Sequence, residues 1–422
     1  MKQTQVDAIR VQAERLLQSN LRKGVEGKTG ESYKFLSPVP GGYRSQWYWD
    51  SCFHAIAMAH VEPEVAQAEL RSLIAAQDED GFIGHITFWA SRFFGLSQFW
   101  DYGHARPGER IKHSGLIQPP MLAPAVEHVA LVSRDASFVP PLMGALDLYH
   151  NWLAENRALD DDGLLVIISP YESSMDQSPA FDFPLGLPGR PSRLQINAKD
   201  RWLDFKNWLD SYDTERMLQA GRFRVKDAFV NTMYAESLTA MARLHRGIGN
   251  GYAASAYLER AAVVSRSIVE KMLDRGRGAF FNLNGPEELR GSPLTVGSLV
   301  PLMLEGLPEE IVGEIVERHV QNRERFWLRF PVPSVAATEP SFDPRGSRSL
   351  WRGPSWICAN WLLWRGLRRH HFNDLADQLA TRTINMVSQS GLWEFYNPLS
   401  GQGMGHKGYA SSALALDMSE GR

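Results

Sequence analysis

Three carboxylates stand close together in a proline-rich segment near the middle of the chain. The segment PYESSMDQSPAFDFP (170–184) carries Glu172, Asp176 and Asp182 among three prolines. Proline fixes φ, removes a backbone donor and disfavours helix at the residue before it, so we predict a constrained loop. Acids on a rigid loop can transfer protons or bind hydroxyl groups, but an isolated loop acid is more often simply solvated. The loop alone therefore favours the solvated interpretation.

A fourth carboxylate, Glu394, lies between aromatic residues in LWEFYNP (392–398). Apolar surroundings disfavour the charged form of a carboxyl group. Hydrolysis of a glycosidic bond needs two carboxyls on either side of the bond that breaks, one acting as acid and the other as base or nucleophile. The mid-chain loop and Glu394 could supply this pair if the fold brings them together.

Aromatic side chains collect beside polar ones in several segments. The clearest case is GGYRSQWYWDSCFH (41–54), where Trp47 and Trp49 flank Asp50 in a glycine-flanked stretch that we interpret as a loop. Sugars pack their C–H faces on aromatic rings, while their hydroxyls bond to Asp, Glu, Arg and Gln. We therefore predict sugar contact for Trp47 and Trp49. Trp361 and Trp364 are at helical spacing and are predicted to lie in the core.

The elements that must position these residues are mostly helices. Strand-like alternation is scarce, and Leu164 to Ile168 is the best short candidate. Neither a linker nor a shift in composition divides the chain, so we predict a single all-α domain over residues 1–422 with about a dozen helices. Apolar residues at helical spacing predict helices over Val6–Leu21, Glu64–Ala76, Pro140–Leu153, Phe229–Leu244, Tyr252–Met272, Pro308–Val320, Trp356–Leu367, Asn373–Val387 and Gly408–Met418.

The composition is that of a soluble globular protein and argues against several partner classes. The 422 residues are 44% hydrophobic and 22% charged, with a formal net charge of −3, so neither nucleic acid nor an anionic membrane is expected as partner. The N-terminal stretch interleaves charges with apolar residues, unlike a signal peptide, and no run approaches the ~20 apolar residues that span a bilayer. The two cysteines, Cys52 and Cys358, suit a reducing compartment. We expect a cytoplasmic protein.

No motif indicates a cofactor. HxxxH and HExxH arrays are absent, as are the phosphate-binding GxxxxGK[ST] and the serine-nucleophile motif GxSxG. His370 and His371 follow two arginines at a predicted helix end, where positive charge suits the helix dipole. We therefore expect no metal and no other cofactor, and a small sugar as partner. Exposed aromatic residues could also form a homo-oligomeric interface.

Five motifs occur along most of the chain in the order found in glycoside hydrolase family 63. The chain resembles in particular the short, single-domain members that hydrolyse mannosylglycerate or glucosylglycerate. Each motif alone is weak, but five in order are specific. The motifs are YRSQWYWDSCFHA (43–55), GLIQPP (115–120), YESSMDQSPAFD (171–182), WRGPSWICANWLLWRGL (351–367) and LWEFYNPLSGQGMG (392–405).

The resemblance implies an (α/α)6 barrel of helical hairpins with long active-site loops at one end. It also implies an inverting mechanism, with Asp176 matching the family's general acid and Glu394 its general base. The two carboxyls of an inverting pair lie about 6.5–9.5 Å apart. Asp182 is the competitor for the acid role. Ser174 stands where the family usually has glycine, a residue that allows positive φ, so the resemblance leaves the backbone conformation at Ser174 open.

The resemblance further implies which side chains hold the substrate. Asp50 with Trp49 resembles a pocket floor, and Glu172 either orients the loop or holds a sugar hydroxyl. Trp351 and Arg352 are candidates for the wall, but equally for a structural Trp and an Arg paired with a loop acid. The predicted substrate-binding residues are Tyr43, Trp47, Trp49, Asp50, Gln118, Glu172, Asp182, Trp351, Arg352 and Lys407. A glycerate carboxylate would need a cation, for which the candidates are Arg222, Arg345, His406 and Lys407.

Three other functions stay open at this point. A related barrel glycosidase could cleave a neutral glucoside, as trehalases or α-glucosidases do, and a cleft without a cation would favour it. A catalytically silent sugar-binding protein could use the same scaffold, although the retention of Asp176 and Glu394 argues against it. A helical terpene cyclase would need an aspartate-rich metal motif, and Asp160 to Asp162 has no second acidic cluster to pair with.

Overall fold

Helices make up most of the chain. The computed structural model describes residues 3–41, 45–89, 111, 113–187, 189–346 and 350–420. The α-helices in these ranges are α1 (Gln3–Asn20), α2 (Tyr48–Met58), α3 (Pro63–Ala75), α4 (Leu122–Ser133), α5 (Met143–Asn156), α6 (Arg193–Leu209), α7 (Thr214–Gln219), α8 (Ala228–Gly247), α9 (Gly251–Ser267), α10 (Glu309–Ile315), α11 (Ile357–Arg369), α12 (Asn373–Ser390) and α13 (Leu414–Glu420).

Six elements close into an inner ring. Helix α2 packs on α4, α4 on α8, and α8 on a 3-10 helix at Val300–Met303, which in turn contacts α11. Helix α11 packs on α13, and α13 returns to α2. These helices are apolar on nearly every side, and every residue of α2 is buried. A helix without a polar face is stable only when it is surrounded, so the ring needs an outer layer.

The outer layer consists mainly of helices that each pack against one or two helices of the inner ring. Helix α3 covers α2 and α4, α9 covers α8, and α12 covers α11 and α13. Helix α1 packs on α12 and α13 and so joins the N-terminus to the C-terminal helices. An inner and an outer layer of paired helices closed into a ring is the arrangement of an α/α barrel.

Short antiparallel sheets of two or three strands lie among the helices. Their pairings are β1 with β2, β3 with β4, β8 with both β5 and β9, β6 with β7, and β10 with β11. The strands are β1 (Leu21–Val25), β2 (Ser32–Leu36), β3 (Gln46–Trp47), β4 (Ile86–Thr87), β5 (Val225–Lys226), β6 (Leu273–Asp274), β7 (Ala279–Phe280), β8 (Leu283–Asn284), β9 (Leu289–Arg290), β10 (Trp393–Tyr396) and β11 (Gly403–Lys407).

All nine stretches predicted to be helical contain helix, and two of them finish as π-helical turns at Ile268–Met272 and Val316–Val320. Two local predictions are wrong. Leu164 to Ile168 is not a strand, because only Ile167 pairs, in a single bridge to Val225. The stretch around Asp50 is not a loop, because α2 begins at Tyr48 and buries both faces, so it lacks the polar face that marks an amphipathic helix.

Three of the inner helices begin at the same end of the ring. Asp50 lies in the first turn of α2, Trp356 is the residue before α11, and Gln118 lies just before α4. These three residues line one cavity. The positive ends of helix dipoles therefore meet near the cavity, which favours negatively charged groups there.

Among the described residues, no helix has both the length and the apolar character that crossing a bilayer requires.

Candidate active site

One cavity of about 190 Å³ brings together residues from distant parts of the sequence. Seven of its lining residues are predicted site residues, and they include both proposed catalytic carboxyls. They are Trp47, Trp49, Asp50, Gln118, Asp176, Trp351 and Glu394.

Glu172 anchors the loop that carries Asp176. Its buried carboxylate accepts hydrogen bonds from Arg157, at 2.7 Å to Nη2 and 3.3 Å to Nη1. It also accepts the backbone N–H groups of Ile117 at 3.0 Å and Ile168 at 2.8 Å. Glu172 does not line the cavity. Of the two roles predicted for it, this position supports orientation of the loop and not contact with a sugar hydroxyl.

The backbone turns sharply between Glu172 and Asp176. A 3-10 helix at Pro170–Ser173 starts with Ser169, whose side chain accepts the N–H of Tyr171, and ends at Ser174. Ser174 has φ 56° and ψ 5°, a left-handed conformation. Glycine, the usual residue of the family motif, adopts this conformation freely, whereas serine adopts it at a steric cost. The turn brings Ser174 and Asp176 to the cavity wall.

Asp176 has an environment that favours its protonated form. Burial raises its pKa to about 6; its own backbone N–H opposes the shift, and the charge of Glu394 adds to it. The charge of Glu394 therefore acts on Asp176 within one cavity. A carboxyl that keeps its proton near pH 6 can serve as a general acid under mildly acidic to neutral conditions.

Asp182 lies behind the cavity wall and pairs with Arg352. The guanidinium of Arg352 forms two bonds with the Asp182 carboxylate, one of them 2.9 Å long, and its Nε donates to the carbonyl of Gln177 at 2.9 Å. Neither charged partner lines the cavity. Their positions support the alternative prediction for Arg352, an arginine paired with a loop acid, and do not support direct sugar contact by either residue.

Glu394 lies on β10 where the pairing with β11 is irregular. Trp393 faces Lys407 and Phe395 faces Met404, so the register shifts at Glu394. Such bulges redirect side chains and occur often beside active sites. The Oε2 atom of Glu394 accepts the backbone N–H of His406 at 3.0 Å and lies 2.7 Å from Nδ1 of the same residue. The carboxylate is thereby fixed in the cavity wall.

Asp50 is held at the cavity by two hydroxyl groups. Its Oδ1 accepts bonds of 2.8 Å from the Tyr409 hydroxyl and from the Ser411 hydroxyl. Burial raises the pKa of Asp50, His54 opposes the shift, and the charge of Glu394 adds to it. A carboxyl with one oxygen already satisfied is well suited to bind a sugar hydroxyl with the other.

The remaining predicted wall consists of an amide and aromatic rings. The Gln118 carbonyl oxygen accepts the backbone N–H of Trp49 at 2.9 Å, which fixes the orientation of the amide and leaves its NH2 end as the donor for a substrate. The rings of Trp351 and Trp356 stack with centroids 4.3 Å apart and 4° between their planes. Both rings line the cavity, and flat stacked rings suit the C–H face of a sugar.

Other predicted residues do not reach the described cavity. Tyr43 lies outside the described residues. Lys407 is exposed on β11, and Arg345 is exposed on a turn. Arg222 pairs with Asp210 and donates to the carbonyl of Lys206 at 3.0 Å. Of the four cations considered for a glycerate carboxylate, His406 is the one in contact with a cavity residue.

Sequence reasoning missed half of the lining residues. Trp356 lies in one of the five family motifs, and Tyr409 lies shortly after another. His85 is buried, and burial with the charge of His113 lowers its pKa to about 3, so it enters the site as a neutral imidazole. The missed lining residues are Pro38, His85, Tyr171, Ser174, Leu350, Trp356 and Tyr409.

A further carboxyl, Asp200, lies behind the acid loop on α6. Only 1% of the residue is exposed, and neither carboxylate oxygen has a hydrogen-bond partner among the described residues. Burial raises its pKa well above the usual value, and the charges of Asp176 and Asp182 add to the shift. Nothing in the sequence around Asp200 distinguishes it from a surface acid.

Comparison with known proteins agrees with this chemistry. The sequence model of the mannosylglycerate hydrolase MGH1-like glycoside hydrolase domain matches residues 43–412. The chain belongs to this glycoside hydrolase family. Its relatives include a mannosylglycerate hydrolase of Thermus thermophilus, 31% identical over 90% of this chain and 96% of that protein. They also include a glucosylglycerate hydrolase of Mycolicibacterium hassiacum, 26% identical over 89% and 91% of the two chains.

Solved structures of the same family share the fold. The crystal structure of the Thermus thermophilus family 63 mannosylglycerate hydrolase with Tris and D-glycerate superposes with a TM-score of 0.81. It is 28% identical and covers 98% of this chain and 100% of that one. The predicted resemblance to glycoside hydrolase family 63 and the predicted helical barrel are therefore confirmed.

Proposed function

We propose that this glycoside hydrolase cleaves an α-linked hexosyl glycerate, with inversion, into the free sugar and glycerate. The observation that carries the proposal is that Asp176 and Glu394 line the same cavity from opposite parts of the sequence. The names of the relatives supply the substrate class, mannosylglycerate or glucosylglycerate.

In the proposed mechanism the two carboxyls act on opposite sides of the glycosidic bond. Protonated Asp176 donates its proton to the glycosidic oxygen as the bond to the anomeric carbon breaks, and glycerate leaves with that proton. Glu394 accepts a proton from a water molecule whose oxygen attacks the anomeric carbon from the other face. Asp176 is then ionised and Glu394 protonated, and proton exchange with solvent restores both.

The cavity wall supports sugar binding at the cleaved position. Asp50 and Gln118 offer an acceptor and a donor to hydroxyl groups, and their orientations are fixed by Tyr409, Ser411 and the backbone of Trp49. The stacked Trp351 and Trp356 offer an apolar wall. These contacts would hold the anomeric carbon between Asp176 and Glu394, which is the positioning that catalysis requires.

A second candidate is hydrolysis of a neutral glucoside such as trehalose. It is favoured by one observation: within the described part of the wall, no lysine or arginine lines the cavity, and His85 is neutral there. A glycerate carboxylate would ordinarily be bound by a cation. The two candidates therefore differ in the charge of the leaving group.

A hydrolysis panel of mannosylglycerate, glucosylglycerate and trehalose separates the candidates. We expect release of glycerate from at least one hexosyl glycerate, and release slowed by about 10²–10⁴ in Asp176→Asn or Glu394→Gln. Cleavage of trehalose alone would establish the neutral glucosidase, and binding without cleavage would indicate a silent sugar-binding protein. NMR of the first-formed anomer should show the β-sugar, whereas the α-sugar would contradict inversion.

A further inference from the structure

A cluster of two histidines and one aspartate lies far from the cavity. His60 follows the end of α2, His128 lies on α4, and Asp417 lies on α13. Asp50 is in the first turn of α2, so the cluster is about 15 Å away along that helix at 1.5 Å per residue. The catalytic proposal makes no use of these three side chains.

The three side chains point their ligand atoms at one place. Nε2 of His60 lies 2.7 Å and Nε2 of His128 lies 3.1 Å from Oδ1 of Asp417, and all three atoms are within 4.8 Å of one another. In a tetrahedral zinc site with bonds of about 2.0–2.1 Å, neighbouring ligand atoms lie about 3.3 Å apart. Shifts of a few tenths of an ångström would make room for an ion.

Both histidines direct a ring nitrogen at the same oxygen of Asp417. Nε2 of His60 forms a hydrogen bond with Oδ1, and the buried Nε2 of His128 approaches the same oxygen in a charged contact. The three atoms therefore have the separations of ligands of one ion.

The neighbours of the cluster resemble the outer shell of a metal site. Nδ1 of His60 lies 3.3 Å from Oε2 of Glu420, and metal-bound histidines commonly donate their second nitrogen to a carboxylate. The other oxygen of Asp417 accepts the indole N–H of Trp361 at 2.6 Å. Both contacts would hold a ligand in a fixed orientation.

The two imidazole rings reach the protein surface, while the ligand atom of His128 lies just beneath it. The side chains of His60 and His128 are 11% and 20% exposed, whereas that of Asp417 is 3% exposed. An ion would reach the imidazoles from solvent, meet the buried carboxylate and keep a water molecule as fourth ligand. A second group of possible metal ligands, Asp160, Asp162 and Glu288, differs from this cluster because Lys226 and Lys271 already neutralise its charge.

We infer that His60, His128 and Asp417 bind a divalent transition-metal ion of the zinc class. Two imidazoles and one carboxylate suit Zn²⁺ better than Mg²⁺ or Ca²⁺, which prefer oxygen ligands. Since the ligands come from three inner-ring segments, the ion would fasten α2, α4 and α13 together at the end of the barrel opposite the cavity. Its role is structural.

Calorimetric titration of the chelator-stripped full chain with ZnCl2 tests the inference. We expect one ion per chain, a rise in Tm with Zn²⁺ but not with Mg²⁺, and the visible absorption of a four-coordinate site with Co²⁺. His128→Gln should lose the stoichiometric binding and the rise in Tm. The matched variant His371→Gln, at an exposed histidine, should keep both.

Two results would overturn the inference. One is the absence of stoichiometric Zn²⁺ binding by the wild-type chain, which would leave His60 and His128 as ordinary neighbours of Asp417. The other is unchanged binding in folded His128→Gln, which would place the ion elsewhere. Far-UV circular dichroism establishes folding, and none of these readouts depends on glycoside hydrolysis.

Discussion

Glu394 and His406 form a two-point contact in which one carboxylate oxygen meets the backbone nitrogen and the ring Nδ1 of the same residue. Oε2 of Glu394 accepts the backbone N–H at 3.0 Å and lies 2.7 Å from Nδ1. Because a carboxylate only accepts, Nδ1 must carry a proton. This bond, with the charge of Glu394, raises the pKa of His406 against partial burial. The His406 side chain is 54% exposed, so it also joins the proposed base to solvent.

We expect His406→Asn to lower kcat/KM about tenfold, which corresponds to about 1.4 kcal/mol of transition-state stabilisation. The variant removes a cation from the carboxylate that must accept a proton. The loss of rate should be largest at acidic pH, where His406, whose pKa the contact with Glu394 raises, carries its charge. Initial rates between pH 4 and 8 measure both effects.

The same exchange at an exposed histidine is the control for that experiment. His371→Asn changes a residue in a left-handed conformation after α11, a conformation that asparagine tolerates. It should leave the rate and the pH profile unchanged. A His406→Asn enzyme with the wild-type profile would show that His406 does not support the base.

The pKa of Asp176 predicts the basic limb of the pH profile. A general acid must be protonated, and burial and Glu394 raise the pKa of Asp176 to about 6. We therefore expect kcat/KM to fall as pH rises above about 6, approaching tenfold per pH unit. Asp176→Asn should lower kcat by about 10²–10⁴ and remove this limb.

An activated leaving group distinguishes the acid from its competitor. The leaving group of an aryl glycoside with an acidic phenol departs as a phenolate, without protonation. Asp176→Asn should therefore recover much of its rate on this substrate, whereas Glu394→Gln should not. Asp182→Asn serves as the comparison, since Asp182 pairs with Arg352 outside the cavity. If Asp182→Asn showed the selective recovery and Asp176→Asn kept normal turnover, Asp182 would be the acid.

The sequence motifs predicted the parts of the site that depend on residue type and order. Four residues of these motifs line the cavity, namely Asp50, Gln118, Asp176 and Glu394. Ser174 has positive φ, the conformation that the family's glycine would adopt without steric cost.

Direction of side chains could not be predicted in the same way. His406 and Lys407 are neighbours just after the last motif, but adjacent residues of a strand point to opposite sides, and His406 is the one that meets Glu394. Glu172 carries the same chemical group as a catalytic acid. Its structural role follows only from the buried Arg157 beside it, a contact that no local pattern reveals.

Glu172→Gln should destabilise the fold by about 3 kcal/mol or more. Arg157 is fully buried, and removing the charge of its partner leaves an uncompensated buried cation, which typically costs 3–5 kcal/mol. Urea unfolding measures the loss. In the folded fraction, KM should stay close to the wild-type value because Glu172 does not line the cavity.

The double variant Glu172→Gln, Arg157→Met provides the control for charge. It removes the buried cation together with its partner, so it should recover part of the lost free energy of unfolding. A large increase in KM with unchanged stability for Glu172→Gln would contradict the loop-anchoring role and restore direct sugar contact.

Asp200→Asn should stabilise the protein at neutral pH. Burial raises the pKa of Asp200 in the folded state above its value in the unfolded chain. The folded state therefore holds a proton that the unfolded state releases, and stability falls by up to about 1.4 kcal/mol per pH unit as pH rises from the unfolded pKa towards the folded one. A neutral amide has no such dependence.

Comparison of Tm at pH 4 and pH 7 should show a gain for Asp200→Asn at pH 7 that largely disappears at pH 4. Asp161→Asn, at an exposed acid, should change neither value, and an equal gain at both pH values would mean that the charge of Asp200 is not what limits stability.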